Sequence, residues 1–383
     1  MSIKNNFDKS IGCLIGGAIG DSLGWPIEFS DIERIRKKYG KNGILGHIQT
    51  PAEITDDTQM TLYTAEGLMR MYIREKVEKK EPSYSVLLRS YHRWLSRQVG
   101  YSVNKHSRGT EYYKLTKKQF DIILDSGFLV HYKALNKMRS PGTTCTGALC
   151  KGKKYTFDKP YNSSMGCGAV MRAAPAGILY DSPIQSFIVG CNLAVLSHGN
   201  PIGYFSAGAL ASIINFTMKG IDLKNAISKT IQILERKYEI DTIPDEERQE
   251  YNNIINIKTR NVVNYIDRAV KLFEDGVKPT PENIERHLGS GWTGGEALSI
   301  AVYSSLVYEN DFEKAILLAV NHSGDSDSTG AICGNILGSI YGESGIPDKL
   351  KNVELYKLIK LIGYDLIEIQ NNPSKYRKRY PGW

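Results

Sequence analysis

Apolar residues recur at three- and four-residue intervals through most of the chain. In 59–75, Met60, Leu62, Tyr63, Leu68, Met69 and Tyr72 gather mainly toward one side while Arg70, Arg74 and Glu75 lie toward the other, the pattern of an amphipathic helix. The same period predicts helices over 84–98, 184–197, 204–218, 223–235, 259–274, 295–308, 312–320 and 353–369. Alternating runs with Asn-Gly or Asp-Gly turns, which would mark hairpins, are scarce. The pattern predicts an all-α chain.

Two stretches break the amphipathic rule. Residues 12–24 and 330–342 carry glycine at nearly every fourth position. Each glycine inside a helix costs about 1 kcal/mol relative to alanine, so the spacing needs a reason, and close backbone approach supplies one. Two central helices packed backbone to backbone are expected. Polar, turn-rich stretches fall near 37–52, 99–112, 138–164, 240–254 and 275–294, but none is a long Gly/Ser or Pro-rich linker. A single domain over 1–383, with insertions near 99–164 and 240–294, is the simplest partition.

Composition narrows the classes. The chain has 383 residues, 41% apolar and 23% charged, which excludes a disordered or collagenous protein. The net charge of +8 is spread along the chain, and the one dense basic cluster is Lys375, Arg377, Lys378 and Arg379, beside Tyr376 and Tyr380. That tail reads first as a docked terminus with snorkelling stems, so nucleic acid is not the expected partner and an anionic small ligand fits the charge equally well. Six cysteines without a CxxC or a zinc-like spacing are expected to be free thiols in a reducing compartment, and the location is expected to be cytoplasmic. The apolar run 11–19 ends at Asp21 without a cleavage-like pattern, so it is read as mature protein. No stretch approaches the roughly 20 apolar residues of a membrane span, and no membrane partner is expected.

Acids then change the picture. Thr55-Asp-Asp-Thr58 stands ahead of the helix at 59, and Gly324-Asp-Ser-Asp-Ser-Thr329 ahead of the glycine-rich helix at 330. Either run alone serves as an N-cap, yet a cap needs one such side chain and here the acids are paired. Carboxylates held that close repel unless one is protonated or a cation neutralises them. An all-oxygen donor set without cysteine suits Mg²⁺ or Mn²⁺, and two acidic loops brought together would suit two cations about 3.5–4 Å apart. The glycine-rich segment 166–175 offers backbone amides that suit a phosphate, or is a turn before a buried helix.

Six blocks in order resemble the ADP-ribosylglycohydrolase family: Gly16-Gly-Ala-Ile-Gly-Asp-Ser-Leu-Gly-Trp-Pro-Ile-Glu28, Thr55-Asp-Asp-Thr-Gln59, Gly166-Cys-Gly-Ala-Val-Met-Arg-Ala-Ala-Pro175, Ser197-His198, Gly291-Trp-Thr-Gly-Gly-Glu-Ala-Leu298 and Gly324-Asp-Ser-Asp-Ser-Thr-Gly-Ala-Ile-Cys-Gly-Asn335. The resemblance implies a single orthogonal helical bundle around a central binuclear Mg²⁺ or Mn²⁺ site. It makes Thr55, Asp56, Asp57, Asp325, Asp327 and Ser328 the expected metal ligands, and Asp56, Glu28 and Asp325 the acids expected to carry the chemistry. Gly166, Cys167, Gly168 and His198 fall in the expected ADP-ribose pocket, although many members carry Asn where this chain has Cys167.

The activity so implied is hydrolysis of the bond between the anomeric carbon of ADP-ribose and a modified acceptor. The cis ribose hydroxyls would bind the metals while a carboxylate activates water. An ADP-ribosylated protein with the modification on arginine is the first expectation. ADP-ribosylserine, O-acyl-ADP-ribose, a modified nucleobase and a non-catalytic ADP-ribose binder are the alternatives, the last disfavoured because all four Asp positions are kept. Among single residues, Arg172 is expected to pair with a buried acid rather than a phosphate. Glu296 suits a helix start, His322 a donor to a ligand carboxylate, and Trp292 and Tyr161 either core packing or stacking on the ligand.

Overall fold

A computed structural model describes residues 3–105, 108–239, 244–255 and 259–383. Parts of two expected turn-rich stretches, 106–107 and 240–243, lie outside the described residues. The expected all-α fold is borne out: eighteen α-helices and five short 3₁₀ turns carry the described chain, with only two isolated β-bridges among the described residues.

The first half contains α1 (Ile3–Gly24), α2 (Ile32–Tyr39), α3 (Asp56–Lys76), α4 (Tyr84–Leu95), α5 (Lys117–Asp125), α6 (Thr143–Cys150), α7 (Ala174–Leu179) and α8 (Pro183–Val195). It continues through α9 (Pro201–Met218), α10 (Leu223–Leu234), α11 (Asp245–Ile255), α12 (Arg260–Glu274) and α13 (Pro281–Leu288). The last five are α14 (Gly294–Val307), α15 (Phe312–Val320), α16 (Ser326–Gly345), α17 (Tyr356–Asn371) and α18 (Pro373–Tyr376).

At the centre, α1 lies against α16, and the glycine spacing explains how. A Cβ added at Gly16 would stand 2.2 Å from the Gly334 carbonyl oxygen, one at Gly20 would stand 1.9 Å from that of Gly330, and one at Gly338 would stand 2.0 Å from that of Gly12. No side chain fits between the two backbones. The regular pairing ends at Gly342, where α16 breaks at φ 70°. The close approach places the C-terminal end of α1 beside the N-terminal end of α16, where a Cβ on Gly24 would meet the Asp327 backbone at 2.4 Å.

Helices α6, α11 and α13 lie in stretches expected to be turn-rich. Each spans only 8 to 11 residues, too few turns to establish a period. In α13, capped by Thr280 with Pro281 in its first turn, only Ile284 and Leu288 are buried, and α11 buries Tyr251, Ile254 and Ile255 at its far end.

The basic tail is docked, as its first reading had it. Arg379 Nη1 and Tyr380 Oη both donate to Asp365 Oδ2 at 2.6 Å, and Arg70 donates to the main-chain oxygens of Pro381 and Trp383 at 3.3 Å. Beneath it, buried Glu66 lies 2.9 Å from Arg70 and 3.7 Å from Arg93. All six cysteines are free thiols. Among the described residues no helix is long and apolar enough to cross a membrane.

Candidate metal centre and ligand cleft

Helix α3 begins at the acids themselves. Thr55 is its N-cap, its Oγ1 accepting the Asp57 N–H at 3.2 Å. Asp56 and Asp57 fill the first turn, where the partial positive charge of the helix end favours carboxylates. The α16 loop repeats the device: Asp325 is the N-cap and accepts the Ser328 N–H at 3.3 Å, and Asp327 Oδ1 accepts the same N–H at 2.9 Å.

A third segment arrives from the end of α1. Glu28 follows a 3₁₀ turn, Trp25–Ile27, and the next residue, Phe29, sits at φ 59°. A non-glycine residue there needs restraint from its surroundings. It has that restraint: the Phe29 N–H donates to the Gly324 carbonyl at 2.9 Å and the Gly324 N–H to Ser30 at 3.3 Å. Gly324 itself stands at φ +118°, where an added Cβ would lie 2.1 Å from the Ser290 carbonyl oxygen, so only glycine serves.

These pieces converge. Carboxylate oxygens of Glu28, Asp325 and Asp327 lie within 4.8 Å of one another. Burial, followed by the charges of Asp325, Asp56 and Asp21, pushes the Glu28 carboxyl up to about 8. Asp56, Asp57 and Asp327 are raised well above the usual carboxylate range, again by burial first and by neighbouring acids after it. No Lys or Arg forms an ion pair with any of these acids among the described residues. Asp57 Oδ2 is buried without a hydrogen-bond partner. Five uncompensated carboxyl groups and an orphaned oxygen fit hard divalent cations held by oxygen.

One further acid was missed by the sequence reading. Asp21, fully buried on α1, accepts Thr55 Oγ1 at 2.7 Å, the Thr55 N–H at 2.9 Å, and the Thr58 N–H and Oγ1 at 3.1 and 2.5 Å. Its carboxyl rises to about 6 through burial, opposed by these hydrogen bonds. It clamps the first turn of α3 from behind the acids. The available signal was its position, the one acid in the largely apolar glycine-rich run 11–24, where a buried charge demands partners.

The acids lie in a cleft of about 610 Å³. Glu28, Asp56, Asp57, Asp325 and Ser328 line it, together with Gly166, Cys167, Gly168 and His198. Thr55 and Asp327 are buried but are not part of its lining. Ser328 Oγ lies 3.7 Å from Met171 Sδ. Cys167 donates its thiol to Asp325 Oδ2 at 2.6 Å, and burial pushes that thiol well above its usual range. Phe29 and Trp292 stack across the mouth, ring centroids 5.4 Å apart and planes within 4°.

Two amides of the expected phosphate cradle are already engaged. The Gly166 N–H donates to Ser164 Oγ at 3.2 Å and the Cys167 N–H to the Trp292 carbonyl at 3.2 Å, so neither amide is spare. The glycines instead leave room for His198, since a Cβ at Gly166 would lie 3.3 Å from its Nε2 and one at Gly168 would lie 3.5 Å away. Arg172 also departs from expectation: no carboxylate lies within ion-pair distance among the described residues, and its guanidinium contacts Ser197, Cys145, Met60 and Tyr91. His322 braces the acidic loop, its Nδ1 donating to the Ser323 carbonyl at 2.9 Å and its Nε2 lying 2.9 Å from Thr329 Oγ1, not on a carboxylate. Glu296 closes a capping box with Thr293 at the start of α14. Tyr161 packs against Tyr155 at 5.2 Å and does not line the cleft.

Comparison with known proteins finds relatives along most of the chain. An uncharacterised protein of Archaeoglobus fulgidus is 24% identical over 343 residues, 87% of each chain. The ADP-ribosylarginine hydrolase Tri1 of Serratia proteamaculans is 25% identical over 92% of this chain and 77% of its own. A solved structure of an ADP-ribosylglycohydrolase-related protein complex superposes with a TM-score of 0.54 over 96% of this chain and 99% of that one, at 17% identity, which shows a shared fold. The ADP-ribosylglycohydrolase profile matches residues 2–374, and the chain therefore belongs to that family of hydrolases acting on ADP-ribosyl glycosidic bonds.

Proposed function

We propose that this chain acts as a single domain that removes ADP-ribose from arginine on a modified protein, using a binuclear Mg²⁺ or Mn²⁺ centre. The observation that carries the reading is the group of uncompensated buried carboxyls at the floor of a ligand-sized cleft. The arginine acceptor is supported by the printed activity of the Serratia relative. Thr55, Asp56, Asp57, Asp325, Asp327 and Ser328 would hold the cations. Once bound, the cations supply Lewis-acid polarisation of the ribose hydroxyls and positive charge against which a water is activated.

The protein's own groups do the rest. Asp56 is held by the Gly142 N–H on Oδ2 at 3.3 Å, which leaves its other oxygen to orient a water. Glu28, within 4.8 Å of the α16 acids on a pinned loop, would hold or release a proton beside the scissile bond. Asp325 carries the Cys167 thiol on one oxygen and the Ser328 amide on the other, which fixes its direction into the cleft.

The test is release of ADP-ribose from arginine-, serine- and nucleobase-linked substrates with and without Mg²⁺ or Mn²⁺. Metal-dependent release from the arginine substrate, cut at least about a hundredfold by Asp325→Ala, is the expected outcome. Release from none of them, with ADP-ribose still bound tightly, would replace the reading with a non-catalytic binder.

A further inference from the structure

Arg172 is fully buried and lacks the carboxylate that a buried guanidinium ordinarily finds. Its Nη2 donates to Ser197 Oγ at 2.6 Å and its Nη1 to Cys145 Sγ at 3.2 Å, while the guanidinium carbon lies 4.5 Å from the Tyr91 ring centroid. Ser197 Oγ in turn lies 2.9 Å from His198 Nδ1. The three residues form a chain running from the core to the wall of the cleft.

Counting protons along the chain gives its direction. A guanidinium only donates, so Ser197 Oγ is the acceptor at that end and keeps one hydrogen to place. Its two neighbours able to take it are His198 Nδ1 and the Cys145 sulfur. A thiol sulfur is a weak acceptor and this one already receives an N–H from Arg172, so the hydrogen goes to the imidazole. Burial, then the Arg172 charge, lowers His198 to about 3, so the ring is neutral and carries its single hydrogen on Nε2. Nε2 faces the two glycines whose missing Cβ atoms leave it clear, and it has no hydrogen-bond partner among the described residues.

We propose that Arg172 is a positioning residue: through Ser197 it locks His198 in the Nε2–H tautomer and so presents a neutral hydrogen-bond donor to an acceptor oxygen of the ligand. Arginine suits this task because it never deprotonates, so the chain cannot reverse. That the ligand is ADP-ribose rests on the functional reading above.

The tautomer is read in the full chain labelled with ¹⁵N-histidine, from a long-range ¹H–¹⁵N correlation spectrum at neutral pH. His198 is identified as the pattern missing from His198→Gln. A pyridine-like Nδ1 with a pyrrole-like Nε2 is expected, and the reverse pattern or an imidazolium would overturn the proposal. Ser197→Ala should scramble that pattern and weaken ADP-ribose binding about tenfold, the worth of one hydrogen bond, while Ser197→Thr keeps both. Should Ser197→Ala fail to fold, Arg172→Lys, which loses the two-pronged donor geometry, is expected to show the same two losses. An unchanged tautomer and affinity in a folded variant would overturn the relay. The Nε2–H pattern in a protein that binds no ADP-ribose would support the relay and overturn the functional reading instead.

Discussion

At the scale of single residues, the site depends on acids that the rest of the protein does not neutralise. Asp21 illustrates how they are held. It faces no cleft, yet it gathers the amides and hydroxyls of Thr55 and Thr58 and so fixes where α3 points its first-turn carboxyls. Asp21→Asn removes acceptor capacity while keeping the shape. Mn²⁺ affinity should fall 10- to 100-fold, the usual effect of losing an outer support of a metal ligand, and calorimetric titration with an unchanged affinity would reject that role. Asp56, Asp57, Asp325 and Asp327 were legible because they came in pairs. Asp21 was not, because a single acid in the apolar run 11–24 carries no spacing to read. The same limit applied to Arg172, whose partners Ser197, Cys145 and Tyr91 lie 25, 27 and 81 positions away in the chain.

At the scale of elements, α1 and α16 make the clearest case. Glycine to alanine in an exposed helix gains about 1 kcal/mol. Here the sign reverses, because an alanine methyl at Gly16 or Gly334 would stand about 2 Å from a carbonyl oxygen of the other helix. Gly16→Ala and Gly334→Ala should each cost at least about 2 kcal/mol in urea unfolding. Gly46→Ala, with open space around it, should stay within about 0.5 kcal/mol, and equal behaviour of all three would disprove backbone contact as the reason for the glycines. Long helices with a wide apolar stripe, such as α3, α9 and α12, were legible from period alone. Short ones such as α13 were not, since Ile284 and Leu288 make a single pair one turn apart.

At the scale of the whole molecule, the acidic cluster should couple folding to pH and, on the proposed reading, to metal. Glu28, at about 8 in the folded chain, lies above its ordinary unfolded value, so the folded state binds more protons over that interval. Stability of the chelated protein should therefore rise as pH falls from 8.5 to 6.5, by at most about 1.4 kcal/mol per pH unit for this group. Below that window the buried His92 and His198, each lowered to about 3, act in the opposite sense, because the unfolded chain takes up protons they refuse. Mg²⁺ should raise the melting temperature most at the alkaline end, where it does not compete with protons. Melting curves in chelator and in Mg²⁺ across pH 6.5–8.5 check both signs, and a metal effect that grows toward acid would contradict them.

Short-range spacing carries the all-α class, the long amphipathic helices, the glycine segments and the paired acids that begin two helices. Those features are local because helix period, capping and close packing act within a few residues. Which of them meet is set by long-range packing. The glycine contact between α1 and α16 brings Gly24 against Asp327, and Glu28, Asp56, Asp57, Asp325 and Ser328 come to line one cleft. Folding also took up the Cys167 amide on the Trp292 carbonyl and led Arg172 to a serine rather than an acid. Those outcomes depend on partners far apart in the chain, and no local pattern records a distance that exists only after folding.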